Sequence, residues 1–174
     1  ETSAERGGVT FIDDTTATAP AATVAALEAL ARGRGQVHLL AGGADKGLDP
    51  SPMAEAAARH QAKVYLFAGT ATPALESALR SRGLTSCGPF AGMNDAVAAA
   101  RCEARPGDVI LLSPGCASFG LFRDEFDRGD RFREVVGALR ADRQSVNDPS
   151  SPSRHRPLIP NATRSAGTRP VEPG

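Results

Sequence analysis

The sequence predicts an α/β fold: a single Rossmann-like domain, with a mainly parallel sheet carrying helices on both faces, and a disordered C-terminal tail. Two observations carry that expectation. Short apolar runs alternate with helical stretches of about ten to fifteen residues, the pattern of βαβ units. The runs are also nearly continuous in apolar character, as strands covered on both faces must be.

The elements follow in order. Val9-Thr10-Phe11-Ile12 reads as the first strand, and Pro20, at a helix N1 position, opens an Ala- and Leu-rich helix closed by Gly33 and Gly35. A second strand spans 36–41, and Pro52 opens a helix reaching His60. Lys63-Val64-Tyr65-Leu66-Phe67 forms a third strand, and Thr72-Pro73 starts a helix to Arg82. A short strand is expected over 84–87, then a helix capped by Asn94 or Asp95 and ending at Ala104. Pro106-Gly107-Asp108 turns into the last strand, 109–112, and a long helix over 121–139 offers Phe122, Phe126, Phe132, Val135, Val136 and Leu139 for burial.

Composition bounds the function. A chain of 174 residues has room for one ordinary domain. Net charge is zero, which points to neither a nucleic-acid footprint nor an acidic surface partner. No apolar run approaches the roughly 20 residues of a membrane helix. Cys87, Cys102 and Cys116 are odd in number and lack metal-ligand spacing, so a reduced, cytoplasmic setting and no metal site are expected. The chain opens on Glu1 with no signal peptide, as a piece of something longer would.

Residues 1–140 are read as the domain and 141–174 as a Pro/Ser/Arg-rich tail. The tail holds six of the thirteen prolines, with five serines and five arginines. It has too little apolar surface to offset its ordering entropy.

Three strands end abruptly in small, hydroxyl-bearing or charged residues. The endings are Asp13-Asp14-Thr15-Thr16-Ala17-Thr18, Gly42-Gly43-Ala44-Asp45-Lys46-Gly47 and Ser113-Pro114-Gly115-Cys116-Ala117-Ser118. In an open parallel sheet such ends share one edge, where ligands bind. Lys46, one of only two lysines, offers a compact point charge for a carboxylate or phosphate beside permissive glycines. Asp13 and Asp14 suit a metal, a ribose hydroxyl or an amine. As strand-end neighbours they point to opposite sides, so one faces the site. Thr15, Thr16 and Thr18 either cap the following helix or donate to an anion at its start. Phosphate P-loop and G-x-S-x-G patterns are absent. A receiver domain is excluded because Ala68-Gly69-Thr70 and Ser113 stand where it needs an aspartate and a lysine. The expected site holds a small anion and breaks no bond unaided.

With these motifs, and with Phe122-Arg123 and Arg128-Gly129-Asp130-Arg131-Phe132, the chain over residues 8–139 resembles the C-terminal domain of the Mur ligases, nearest the D-glutamate-adding branch of peptidoglycan synthesis. The resemblance implies a three-domain, ATP- and magnesium-dependent amide ligase acting on UDP-N-acetylmuramoyl-L-alanine and glutamate through an acyl phosphate. Within it, Lys46 and Thr18 would hold the α-carboxylate and Ser118 the side-chain carboxylate, with Phe126 alongside, while Asp14 and Thr16 would face the nucleotide. ATP, magnesium and the UDP group would be bound mainly by the central and N-terminal domains, so the isolated chain has no catalytic residue of its own. Neither nucleic acid nor a membrane is expected as partner.

Departures from the family pattern are Asp13, Thr15, Thr16 in place of lysine, and Ala19, with Glu125 replacing an aromatic residue and Phe126 one place later. These leave an L-glutamate-adding relative open, as well as a stand-alone nucleotide- or anion-binding module.

Overall fold

The computed structural model describes residues 2–30, 33 and 35–146. Six strands and five helices run β1 (Thr2–Arg6), β2 (Val9–Asp13), α1 (Pro20–Leu30), β3 (Val37–Ala41), α2 (Ser51–Arg59), β4 (Lys63–Phe67), α3 (Thr72–Arg80), β5 (Ser86–Phe90), α4 (Met93–Glu103), β6 (Val109–Leu112) and α5 (Glu125–Val146). The sheet order is β1-β2-β6-β3-β4-β5. Only β1 is antiparallel; β2 to β5 pair in parallel, as the alternating pattern requires.

Strand alternation divides the core. Phe11, Leu40, Tyr65, Phe67, Ile110 and Leu112 face α4 and α5, where Val97, Phe132 and Val136 meet them. Ile12, Leu39, Val64, Leu66 and Leu111 face the other way, against Leu27 of α1, Met53 of α2 and Leu75 of α3. Each fully buried leucine contributes roughly 2 kcal/mol of transfer free energy, which explains why the central strands are mostly apolar, with the exposed Lys63 at the very start of β4.

Several elements depart from expectation. Strand β1 was not foreseen, because Thr-Ser-Ala-Glu-Arg is polar; Arg6 Nε donates to Val136 O of α5 at 3.3 Å, and the strand pairs with β2 through Gly7 and Gly8, both at positive φ. Two such residues form the preferred two-residue hairpin turn. The weak strand expected over 84–87 lies at Ser86–Phe90. Helix α4 starts from Gly92 without a side-chain cap, so neither Asn94 nor Asp95 has the expected role. Helix α5 begins at Glu125 rather than 121, since the Asp124 carboxylate accepts the Asp127 N–H at 2.7 Å and caps it there. It continues through Val146, so a domain boundary at 140 falls inside a helix. The tail expectation for residues 147–174 lies outside the described residues.

Candidate functional site

Strand order decides where the three motif loops go. Strands β2, β6 and β3 are adjacent and parallel, so their carboxyl ends stand side by side. The backbone then joins the loops. Asp14 N–H donates to Leu112 O at 2.8 Å, Gly115 N–H to Ala17 O at 2.8 Å, and Gly42 N–H to Pro114 O at 2.9 Å. Ala44 and Ala117 exchange two hydrogen bonds of 2.9 and 3.2 Å, a short antiparallel bridge between the lysine loop and the serine loop. Gly43, at φ 143°, allows this: a Cβ there would lie 2.3 Å from Ala117 O.

The expected residues fall as follows. The ammonium of exposed Lys46 lies 3.3 Å from Thr18 Oγ1 and 3.4 Å from Thr18 O, so the first two loops meet through this pair. Ser118 is buried in the third loop, its carbonyl accepting Phe122 N–H at 3.2 Å. Asp14 is half-buried, with Oδ2 accepting the Ser113 hydroxyl at 2.8 Å. Thr16 is exposed on the rim. Phe126 is also exposed, at 66%, in the first turn of α5. The small pocket of about 20 Å³ beside Lys46 is walled by Pro20, Leu48, Met53, Leu75 and Cys116; Thr18, Ser118 and Phe126 are not among its walls. The two aspartates diverge as strand neighbours must. Asp13 turns toward α5 and pairs with Arg133, whereas Asp14 stays on the loop side with Ser113.

One residue of the closing motif has a part that the sequence did not reveal. Arg128 is fully buried, and it donates to Thr15 Oγ1 at 3.0 Å, Thr15 O at 2.6 Å and Cys116 O at 3.2 Å. It thereby ties the first loop to the third. The Thr15 hydroxyl in turn donates to Glu125 O at 2.7 Å. Burial pulls the Arg128 guanidinium down to about 10, and burial pushes the nearby Cys116 thiol up to about 11. A thiol so placed is a poor nucleophile at neutral pH. The available signal was positional: Arg128 stands four and eight residues before Phe132 and Val136, on the apolar stripe of α5.

Taken together, the edge presents the Lys46 ammonium, hydroxyls from the first and third loops and backbone donors at the start of α1. That set complements a small anion. Among the described residues, no three His, Cys, Asp or Glu side chains gather as a metal centre.

Comparison with known proteins identifies the family. Residues 1–116 match the family described as Mur ligase, glutamate ligase domain. The chain belongs to the Mur ligase family. A UDP-N-acetylmuramoylalanine--D-glutamate ligase from Roseiflexus sp. is 49% identical over 134 residues, covering 76% of this chain and 28% of the relative. The enzyme of the same name from Rubrobacter xylanophilus is 44% identical over 138 residues, covering 79% and 30%. This Mur ligase chain therefore spans under a third of the length of these curated relatives. Two solved structures share its fold. MurF ligase from Thermotoga maritima, in complex with ADP, aligns with a TM-score of 0.52 at 20% identity, covering 81% of this chain and 31% of that one. A domain from Haemophilus ducreyi assigned to a UDP-N-acetylmuramate:L-alanyl-gamma-D-glutamyl-medo-diaminopimelate ligase aligns at 0.54 and 18%, covering 80% of this chain and 98% of the domain.

Proposed function

We propose that this Mur ligase chain is the glutamate-binding domain of an ATP-dependent ligase that adds D-glutamate to UDP-N-acetylmuramoyl-L-alanine in cytoplasmic peptidoglycan synthesis. The observation that carries the reading is the meeting of Lys46 with Thr18, beside a third loop held by the Ala44–Ala117 bridge. Lys46 and Thr18 bind the α-carboxylate. Ser118, with backbone donors of its loop, receives the side-chain carboxylate, and Phe126 shields that end. Two carboxylates anchored at separate points fix the amine toward the acceptor, so binding energy is used for orientation.

Asp14 and Thr16 face the nucleotide. Asp14 is suited to a ribose hydroxyl, since one of its oxygens is held by Ser113 and the other is left to accept. ATP with magnesium, bound mainly by the preceding central domain, supplies the phosphoryl group that activates the acceptor carboxylate. The N-terminal domain holds the UDP group. Residues of this chain bring the amine to that carboxylate and close over the nucleotide, and the chain by itself forms no amide bond.

The test is phosphate release by the full-length protein that carries this chain, supplied with ATP, magnesium and UDP-N-acetylmuramoyl-L-alanine. Release that depends on D-glutamate supports the reading, and dependence on L-glutamate instead replaces the stereochemical assignment. Nucleotide binding by the isolated chain with no glutamate dependence in the full-length protein favours a stand-alone binding module.

A further inference from the structure

The loop after β4 was not among the three motif loops, yet it is the platform on which the lysine loop rests. Ala71 N–H donates to Gly43 O at 3.0 Å, and the Asp45 N–H donates to the Thr70 hydroxyl at 2.8 Å. Gly69 is packed so closely that a Cβ there would sit 2.1 Å from Gly43 O. The platform is itself braced, since Thr72 Oγ1 donates to Phe67 O at 2.6 Å and Ala68 N–H to Phe90 O at 2.8 Å. Thr70 is exposed and lies outside both core clusters, so its hydroxyl contributes little to burial. The bond its hydroxyl accepts comes from the residue immediately before Lys46.

We propose that Thr70 is a positioning residue for Lys46, holding the lysine loop so that the ammonium meets the ligand carboxylate beside Thr18. The inference rests on the reading that Lys46 binds that carboxylate. A lysine ammonium rides on a flexible four-carbon stem, and its reach is set by where the backbone places its Cα. The Thr70 bond fixes the Asp45 amide, the adjoining peptide plane fixes Lys46, and the Asp45 carboxylate closes the turn by accepting Gly47 N–H at 2.8 Å. Without the hydroxyl the loop spends part of its time in arrangements that do not bind. Apparent affinity falls in proportion to the competent fraction.

The experiment compares D-glutamate affinity, by calorimetry, for the chain and its Thr70→Val, Thr70→Ser and Lys46→Ala variants, with a thermal melt of each. Thr70→Val is expected to weaken binding about 3- to 10-fold with an unchanged melt, and Thr70→Ser to restore it, while Lys46→Ala abolishes it. Thr70→Ala is the second variant should valine disturb the fold, and faster Asp45 amide exchange in it would report the lost anchor. Normal affinity in Thr70→Val or Thr70→Ala, or failure of the serine variant to restore it, overturns the inference while the Lys46 reading stands. Undiminished binding in Lys46→Ala, or none in the unaltered chain, overturns both.

Discussion

The guanidinium of Arg128 donates to the carbonyl oxygen of Thr15 at 2.6 Å, fastening helix α5 to the loop that follows β2. Because the same side chain also reaches Cys116 O, the helix holds two of the three loops of the candidate site in register. Helix α5 is thus part of the site's frame as well as a cover for the sheet.

Replacing Arg128 by methionine keeps most of its volume and removes every donor. The carbonyls of Thr15 and Cys116 would then lose their partner in a buried setting. Each stranded group costs about 1–3 kcal/mol, so a total loss of about 3 kcal/mol is expected in urea unfolding. Glutamate affinity should fall with it, because the loops lose their mutual spacing.

Gly129 tests the closeness of that packing. A Cβ there would lie 2.8 Å from Thr15 Cγ2 and 3.1 Å from Asp13 Oδ2. Alanine ordinarily favours a helix interior over glycine by about 1 kcal/mol. Here overlap with two pinned groups should outweigh that gain, and Gly129→Ala is expected to destabilise the chain by about 1–2 kcal/mol. A stabilised variant would mean that α5 can draw back from the loop.

A buried histidine at the opposite edge makes stability sensitive to pH. His38 Nδ1 lies 3.0 Å from the Tyr65 hydroxyl and Nε2 lies 3.3 Å from Asp108 Oδ2. A neutral ring satisfies both when Nε2–H donates to Asp108 and Tyr65 donates to Nδ1. Burial lowers the His38 pKa below its ordinary 6.5, outweighing Asp108 and Glu103, which raise it, while Lys63 lowers it further. The unfolded chain therefore takes up the proton first. Stability is full above pH about 6.5 and declines as pH falls toward the lowered folded value. Unfolding measured between pH 8 and 5 should show that slope, and His38→Gln should flatten it. An equal slope in the variant would assign the effect to other groups.

Ser113→Ala separates the two halves of the site. Its hydroxyl holds Asp14 and makes no bond to Lys46 or Thr18. In the full-length protein, KM for ATP is expected to rise about 3- to 10-fold, consistent with one charge-assisted bond, while KM for glutamate stays within about twofold.

Much of this was legible in the chain. Apolar runs mark β2, β3, β4 and β6, because strands buried on both faces leave little choice of residue type, and prolines mark the starts of α1, α2 and α3. Strand β5, largely exposed, carries only a faint signal and lies two residues later than expected. The three loops were legible because polar residues following such runs contrast sharply with them. Strand β1 was not, since an edge strand of polar residues takes its conformation from its partner. Nor was the Ala68–Ala71 platform, where the bonding groups are mostly backbone and glycine contacts carry no side-chain signal. Arg128 was visible as a motif residue, but its burial depends on the register of α5 against the loops.

The account stands most directly on where D-glutamate touches this chain. In an amide-resolved NMR titration, the shifts should cluster at Lys46, Thr18 and Ser118 and disappear in Lys46→Ala. Shifts centred away from the carboxyl edge of β2, β6 and β3, or the same shifts in the variant, would contradict it.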